Sequence, residues 1–336
     1  MSNGRATVEI IIRKMVTVIG GGTGSYQILS GLRPYGDIAL SSVVTMTDSG
    51  GDSGRLRTEF NVLPPGDLRR CLLALSEDST LLRELFSFRF EDDPLRGRQL
   101  GNLFMLALTR ILGTEREAIS AMHRLLKIRG RVYPVTWDHA HLCAELEDGR
   151  IVEGEANIDV PKHDPTIPIR RVFLRPESSP NPEALAAIAE SDFVVLAPGD
   201  LYTSTLPSFL VRGVPEALRR SRAKLVYVLN LMTKKGETGG YAASRHVAEI
   251  VRYAGRVPDA LLVHGGAVPE DMARRYLEQA AHAVQIDEAA VRDMGVRVIR
   301  AAPIMSRSSK ARHDPDQTAH ALRDLFATLD PDPVGP

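Results

Sequence analysis

Cysteine is nearly absent: Cys71 and Cys143 are the two in 336 residues. Both sit in amphipathic patterns, which excludes a disulfide-framed scaffold and fits small core residues of a chain in a reducing cytoplasm. Net charge is absent as well. Lys+Arg and Asp+Glu number 42 each, so no excess of one sign draws the chain to nucleic acid or a membrane surface. Long apolar runs are missing too, and Ile10–Ile12 is far too short for a signal peptide or a membrane span. No Gly-Lys pair occurs anywhere, which excludes a Walker-type phosphate loop.

What is present is ordinary globular material, 43% hydrophobic and 25% charged, enough for one large or two small domains. The organising stretch is Met15–Ser25, in which the β-branched run Val16–Ile19 stops at Gly20-Gly-Gly-Thr-Gly24. A buried parallel strand, a glycine turn and a helix over Tyr26–Leu32 are expected there. A helix N-terminus behind a glycine turn offers free N–H groups and a partial positive charge to an anion, most often phosphate. The dinucleotide fingerprint G-x-G-x-x-G is incomplete, because Ser25 stands at its third glycine.

Strands are expected at Ile38–Thr47, Phe193–Ala197, Leu225–Asn230, Ala260–His264 and Val296–Arg300, alternating with amphipathic helices, the signature of a doubly wound parallel sheet. A helical block covers Leu81–Phe88, Gly101–Leu112 and Glu115–Lys127. Arg131–Val135, His141–Glu147, Arg150–Glu155 and Arg170–Leu174 read as short antiparallel strands, with Asp148-Gly149 as a hairpin turn. The expectation is therefore a Rossmann-like, mostly parallel α/β domain over residues 14–330, with a helical segment and a small antiparallel β insertion at about 130–175. Residues 1–13 are expected to form a tail or an edge strand, and 331–336 a tail.

The chemistry-bearing loops all fall beyond strand C-termini, where such sheets bind ligands. Asp48-Ser-Gly-Gly-Asp-Ser-Gly-Arg-Leu-Arg57 is expected as a loop. In it Asp48 suits ribose hydroxyls, or Asp48 and Asp52 (with Asp67) suit Mg2+ beside a diphosphate. Arg55 is one of several arginines placed to contact phosphate. Gly51-Asp-Ser-Gly54 resembles a protease nucleophile segment only locally, since no positioned His and Asp accompany it. Gly199, Thr203 and Ser204 could cradle a second phosphate. Asn230 and Thr233 offer donors and acceptors for a sugar or a base.

The ordered set Gly20-Gly-Gly-Thr-Gly24, Asp48–Arg57, Leu63-Pro-Pro-Gly-Asp-Leu-Arg69, Gly101-Asn102, Pro198-Gly-Asp-Leu-Tyr-Thr-Ser204, Asn230-Leu-Met-Thr233 and Arg312-His-Asp314 strongly resembles the YvcK-type gluconeogenesis factors. These share a superfamily with CofD, the 2-phospho-L-lactate transferase. The resemblance spans Val16 to Leu325. It implies a cytoplasmic, Rossmann-like protein that binds UDP-N-acetylglucosamine and supports cell shape and growth on gluconeogenic carbon. The alternative it carries is a magnesium-dependent, CofD-like transfer of a phospholactyl group from a nucleotide-diphosphate-linked donor. Which of the two applies, and so whether the protein is an enzyme, stays open here, and a homodimer is compatible with either. By match, Tyr276 and Arg312 would contact the UDP-sugar, with Gly21, Gly22, Thr23, Gly24, Asp48, Asn102, Tyr202 and Asn230 around the same cleft. Three positions depart from the usual pattern: Arg98 replaces a histidine, Ser49 an aspartate, and Asp200 a serine. Asp200 places a negative charge beside the expected diphosphate, which needs a cation or donor to offset it.

Overall fold

The computed structural model describes residues 13–77, 80–301, 304–306 and 310–330. The expectations for residues 1–12 and 331–336 lie outside the described residues. In chain order, β1 (Lys14–Gly20), α1 (Gly22–Leu32), β2 (Ile38–Val44), α2 (Gly51–Phe60) and α3 (Pro65–Leu75) come first. A helical block follows: α4 (Thr80–Ser87), α5 (Leu100–Leu112) and α6 (Glu115–Leu125). Next come β3 (Arg131–Pro134), β4 (His141–Leu146), β5 (Ile151–Glu153), α7 (Glu155–Asp159) and β6 (Ile169–Arg175). The second half runs α8 (Pro182–Glu190), β7 (Phe193–Leu196), helical turns over Leu201–Leu210, α9 (Val214–Arg220) and β8 (Lys224–Val228). It closes with α10 (Ala243–Ala254), β9 (Ala260–His264), α11 (Glu270–Leu277), α12 (Glu288–Asp293), β10 (Arg297–Ala301) and α13 (Pro315–Leu329).

Seven strands form one parallel sheet in the order β10-β9-β8-β7-β1-β2-β3. Its strands read as near-continuous apolar runs because helices cover both faces; β7 is buried at every residue. The chain leaves β1 toward β2 and leaves β7 toward β8, so the strand order reverses between β1 and β7. That reversal opens a crevice at the carboxyl ends of these two strands. Phe193 of β7 stacks on Phe326 of α13 with ring centroids 4.2 Å apart, which ties the last helix to the sheet centre.

Two expectations need correction. Arg131–Val135 is not part of the antiparallel insertion: β3 pairs parallel with β2, from Ser41↔Arg131 to Val44↔Pro134. Alternation of period two marks a half-buried strand but not its neighbour, and Pro134, lacking an N–H, is tolerated because β3 is the sheet edge. The insertion is the three-stranded sheet β5-β4-β6, with the hairpin at Asp148-Gly149 as expected and Gly149 at φ +86°. Asp48–Arg57 is not a loop either. From Gly51 it is helix α2, ended by Asn61 in the left-handed region. Its glycines weaken helix propensity, yet one is required: a Cβ on Gly54 would lie 2.0 Å from the Ser49 carbonyl oxygen.

Candidate ligand-binding cleft

A cleft of about 1320 Å³ lies at the carboxyl edge of the sheet, over the β1–β7 reversal. Its floor is the glycine turn. Gly20 sits at φ +151° and Gly22 at +62°, backbone that L-residues rarely adopt. Gly21 is the N-cap of α1, and a Cβ there would come 2.4 Å from an Asp67 carboxylate oxygen. A Cβ on Gly24 would fall 1.6 Å from the Pro198 carbonyl, so α1 packs directly on the backbone after β7. The first free N–H of α1, that of Gly22, is met by Asp67. Burial, with the nearby Asp48 charge, raises the Asp67 carboxyl to about 6, against the pull of Arg70 and that N–H. Burial and the same Asp48 charge push Glu155 to about 8. An acidic cluster thus faces the glycine turn.

The wall built by α2, α3 and α5 is a closed polar network. Asp52 accepts from the Gln99 N–H (3.0 Å) and Asn102 Nδ2 (2.9 Å), and its other oxygen faces Arg98 Nη1 at 3.3 Å. Asn102 Oδ1 in turn accepts from Arg69 Nε at 2.9 Å. Arg69, 2% exposed, also donates to Gln99 Oε1 and the Phe86 carbonyl. Arg98 closes the network onto Glu59. Asp52 is therefore committed to structure and does not fit a magnesium ion. Asp48 fits better: one oxygen accepts from Gly50 N–H at 2.9 Å, and the charge of Asp67 lies close by. Hard carboxylate oxygens of this kind suit Mg2+. Ser49 docks the insertion instead, accepting from the Ala156 N–H and donating its own N–H to Glu155.

The opposite wall follows β7 and β8. Asn230 clamps the turn, accepting from Gly199 N–H at 2.9 Å and donating to the Gly199 carbonyl. Beside it Lys234 Nζ meets Asp159, Asp200 Oδ2 at 2.6 Å and Glu237 Oε1 at 3.6 Å. The negative charge brought by Asp200 is thereby offset from within the protein. Glu237 has no exposed side-chain surface and accepts from the Tyr202 N–H and Thr203 Oγ1 at 3.0 Å each. Burial and Asp200 push Glu237 up to about 8, opposed by Lys234. One oxygen from each of Asp159, Asp200 and Glu237 lies within 4.8 Å of the others, but the Lys234 ammonium already serves all three carboxylates.

The last wall is the doubled-back C-terminal segment. Ser306 N–H donates to the Arg312 carbonyl and Asp314 N–H to that of Ile304. Ala311 N–H donates to the Tyr276 hydroxyl at 3.1 Å. Arg312 is exposed and lines the cleft, and among the described residues its guanidinium has no ion-pair partner. His313 is buried, and desolvation holds its imidazole down at about 4.

Residues 16–304 match the family described as 2-phospho-L-lactate transferase CofD. The chain belongs to the CofD family. Within it, the chain is 41% identical to the "Gluconeogenesis factor" of Halalkalibacterium halodurans, over 92% of this chain and 96% of that one. It is 39% identical to the "Gluconeogenesis factor" of Bacillus subtilis, over 93% and 98% of the two chains. A crystal structure of a upf0052 family protein from Bacillus halodurans superposes with a TM-score of 0.87 at 40% identity, covering 93% of this chain and 99% of that one.

In this CofD-family cleft, Gly21, Gly22, Thr23, Gly24, Asp48, Asn102, Gly199, Thr203, Ser204, Asn230, Thr233, Tyr276 and Arg312 come together. Two expected residues do not line it. Arg55 points from the outer side of α2 to Glu59 at 3.6 Å, one helical turn along. Tyr202 is fully buried and its hydroxyl meets Tyr241 at 3.1 Å. Others line the cleft with their side chains already engaged: Thr203 donates to Glu237, and Thr233 Oγ1 accepts from the His282 N–H. Sequence reasoning missed Lys234, Asp159 and Glu155. The run Lys234-Lys-Gly-Glu237 after Asn230 was the available signal for the first.

Proposed function

We propose that this CofD-family protein is a gluconeogenesis factor that binds a UDP-sugar, UDP-N-acetylglucosamine, and acts in the cytoplasm as a regulator of cell shape and cell-wall precursor supply. The observation that carries this reading is the pairing across one cleft of the β1–α1 glycine turn with Arg312 and Tyr276. A guanidinium with no acidic partner among the described residues is a planar fork of donors suited to a diphosphate. Tyr276 adds an aromatic face and a hydroxyl suited to a base or sugar. The test is mass spectrometry of ligand released from the purified protein, followed by calorimetry with UDP-N-acetylglucosamine. A guanosine species, NAD or no ligand, together with no heat of binding, would overturn it.

A second reading, phospholactyl transfer, draws on the carboxylates Asp48 and Asp67 beside the glycine turn. They are the residues that would hold Mg2+, which would neutralise charge on a bound diphosphate. Chelation and Asp48→Asn should then weaken nucleotide binding together. Equal affinity with and without chelator would assign Asp48 to ribose recognition or to turn structure.

A further inference from the structure

A separate groove of about 520 Å³ lies at the other end of the strands from the cleft, between α8 and the first residues of β1, β2 and β3. One side of it is a face of the sheet: Met15 and Thr17 of β1, Ala39 and Ser41 of β2, Arg131 and Tyr133 of β3. The other side is a face of α8, where Glu183, Ala186, Ala187 and Glu190 follow at i, i+3, i+4 and i+7. The faces of a parallel sheet are normally filled by the helices that cover them. Here Ala39 and Ser41 line one side and Ala186 and Ala187 the other, and side chains this small leave the space between open.

Charge collects around the groove. Arg13, Arg129 and Arg131 line it, and among the described residues none of these guanidiniums has an acidic partner. Arg33, the C-cap of α1, also lines it and donates to the Ser76 carbonyl. Glu183 and Glu190 stand opposite, but Glu183 faces Arg116 at 3.4 Å. Four arginines against two glutamates leave two positive charges. The field reaches the neighbouring helix: burial, and then Arg131, hold the His123 imidazole down at about 4. A free hydroxyl is present as well. Thr17 Oγ1 donates to the Ala187 carbonyl, whereas the Ser41 hydroxyl has no partner among the described residues.

We propose that this groove binds a small phosphate monoester, its phosphate on the arginines and its organic body against Tyr133 and Met15. A monoester carries close to two negative charges at neutral pH, which matches the excess of arginine. Guanidinium forks fit phosphate oxygens. The half-buried Tyr133 ring and the exposed Met15 side chain supply apolar surface for the body. The volume suits a small molecule. The site does not depend on what the cleft binds, because the glycine turn lies past the opposite end of β1.

The test is calorimetry of the full chain with phenyl phosphate at low ionic strength, where attraction between charges is least screened. The wild type should bind it in the millimolar range or tighter. Arg131→Ala removes charge at an exposed position, and Ala186→Phe fills the groove from an exposed position of α8, so both should keep their circular dichroism. Each should bind at least tenfold more weakly. Arg274→Ala, which removes an exposed arginine outside the groove, should bind like the wild type. Benzoate, one charge on the same ring, should bind at least tenfold more weakly than phenyl phosphate. No heat at millimolar phenyl phosphate overturns the proposal, as does binding indifferent to both groove substitutions. Benzoate bound as tightly as phenyl phosphate overturns the assignment of a phosphate.

Discussion

Gly22 and Gly24 lie two residues apart and answer different demands. Gly22 has room for a methyl group, with its nearest neighbour 3.7 Å away, but sits at φ +62°. Gly24 has ordinary helical backbone and no room at all. Gly22→Ala should cost about 1–2 kcal/mol, the usual left-handed penalty, and give a folded protein. Gly24→Ala should cost more, because the clash is with the Pro198 backbone rather than a flexible side chain. Urea unfolding of the two variants checks the order, and equal losses would contradict the geometry. The run of glycines was legible in the sequence; which glycine serves packing was not, since Pro198 lies far along the chain. Lys234 was legible only through its local pairing with Glu237, as its other two carboxylates come from distant segments. Lys234→Met should cost about 2–4 kcal/mol, the lower end reflecting a side chain that is a quarter exposed. The sign with pH follows from Glu237, raised from 4.5 to about 8 in the folded state. Such a group favours folding below its unfolded pKa, and that contribution is lost as pH rises through the folded one. Without Lys234 the folded value rises further, so the variant's deficit should grow as pH rises above about 8, where the wild-type carboxyl ionises and the variant's stays protonated, in chemical denaturation. A deficit constant with pH would remove Glu237 from the account.

At the scale of elements, the apolar strands were legible because a buried parallel strand announces itself in β-branched runs. Helix α2 was not. Its composition reads as loop, and its existence rests on tertiary contacts: Asp52 tied to Gln99 and Asn102, and Gly54 pressed on Ser49. β3 was placed in the wrong sheet because residue pattern does not encode neighbour or direction. Arg312 was expected at the ligand only by resemblance, and the structure brings its doubled-back segment to the cleft through the Tyr276–Ala311 hydrogen bond. Removing that hydroxyl in Tyr276→Phe should cost about 1 kcal/mol locally. Hydrogen exchange at the Ala311 amide should speed up by about fivefold while the global melting temperature barely moves. Unchanged exchange at Ala311 would mean that the segment is held by its own backbone ladder and not by α11.

For the whole molecule, the strand order decides where function sits. Reversal between β1 and β7 leaves one crevice, and the glycine turn, the Asn230 clamp and the doubled-back segment all border it. None of these walls is covalently tied to another, since both cysteines are free and buried. A ligand that touches all three must therefore link them, and binding to the folded state alone must raise stability by mass action. With UDP-N-acetylglucosamine at a hundred times its dissociation constant, that gain is about 2.7 kcal/mol, several degrees in melting temperature for a chain of this size. Arg312→Ala should lose about 2 kcal/mol of affinity, as hydrogen bonds to charged groups do. At the same ligand concentration its stabilisation should fall below about 1 kcal/mol. Because Arg312 is exposed and unpaired among the described residues, the ligand-free melting temperature should stay where it was, which separates lost binding from lost folding. Regulator and transferase then part on one further reading in the same samples. A regulator leaves the UDP-sugar intact through the thermal scan. Consumption of the ligand, or transfer of a phospholactyl group well above background, would replace the regulator with an enzyme built on the same cleft.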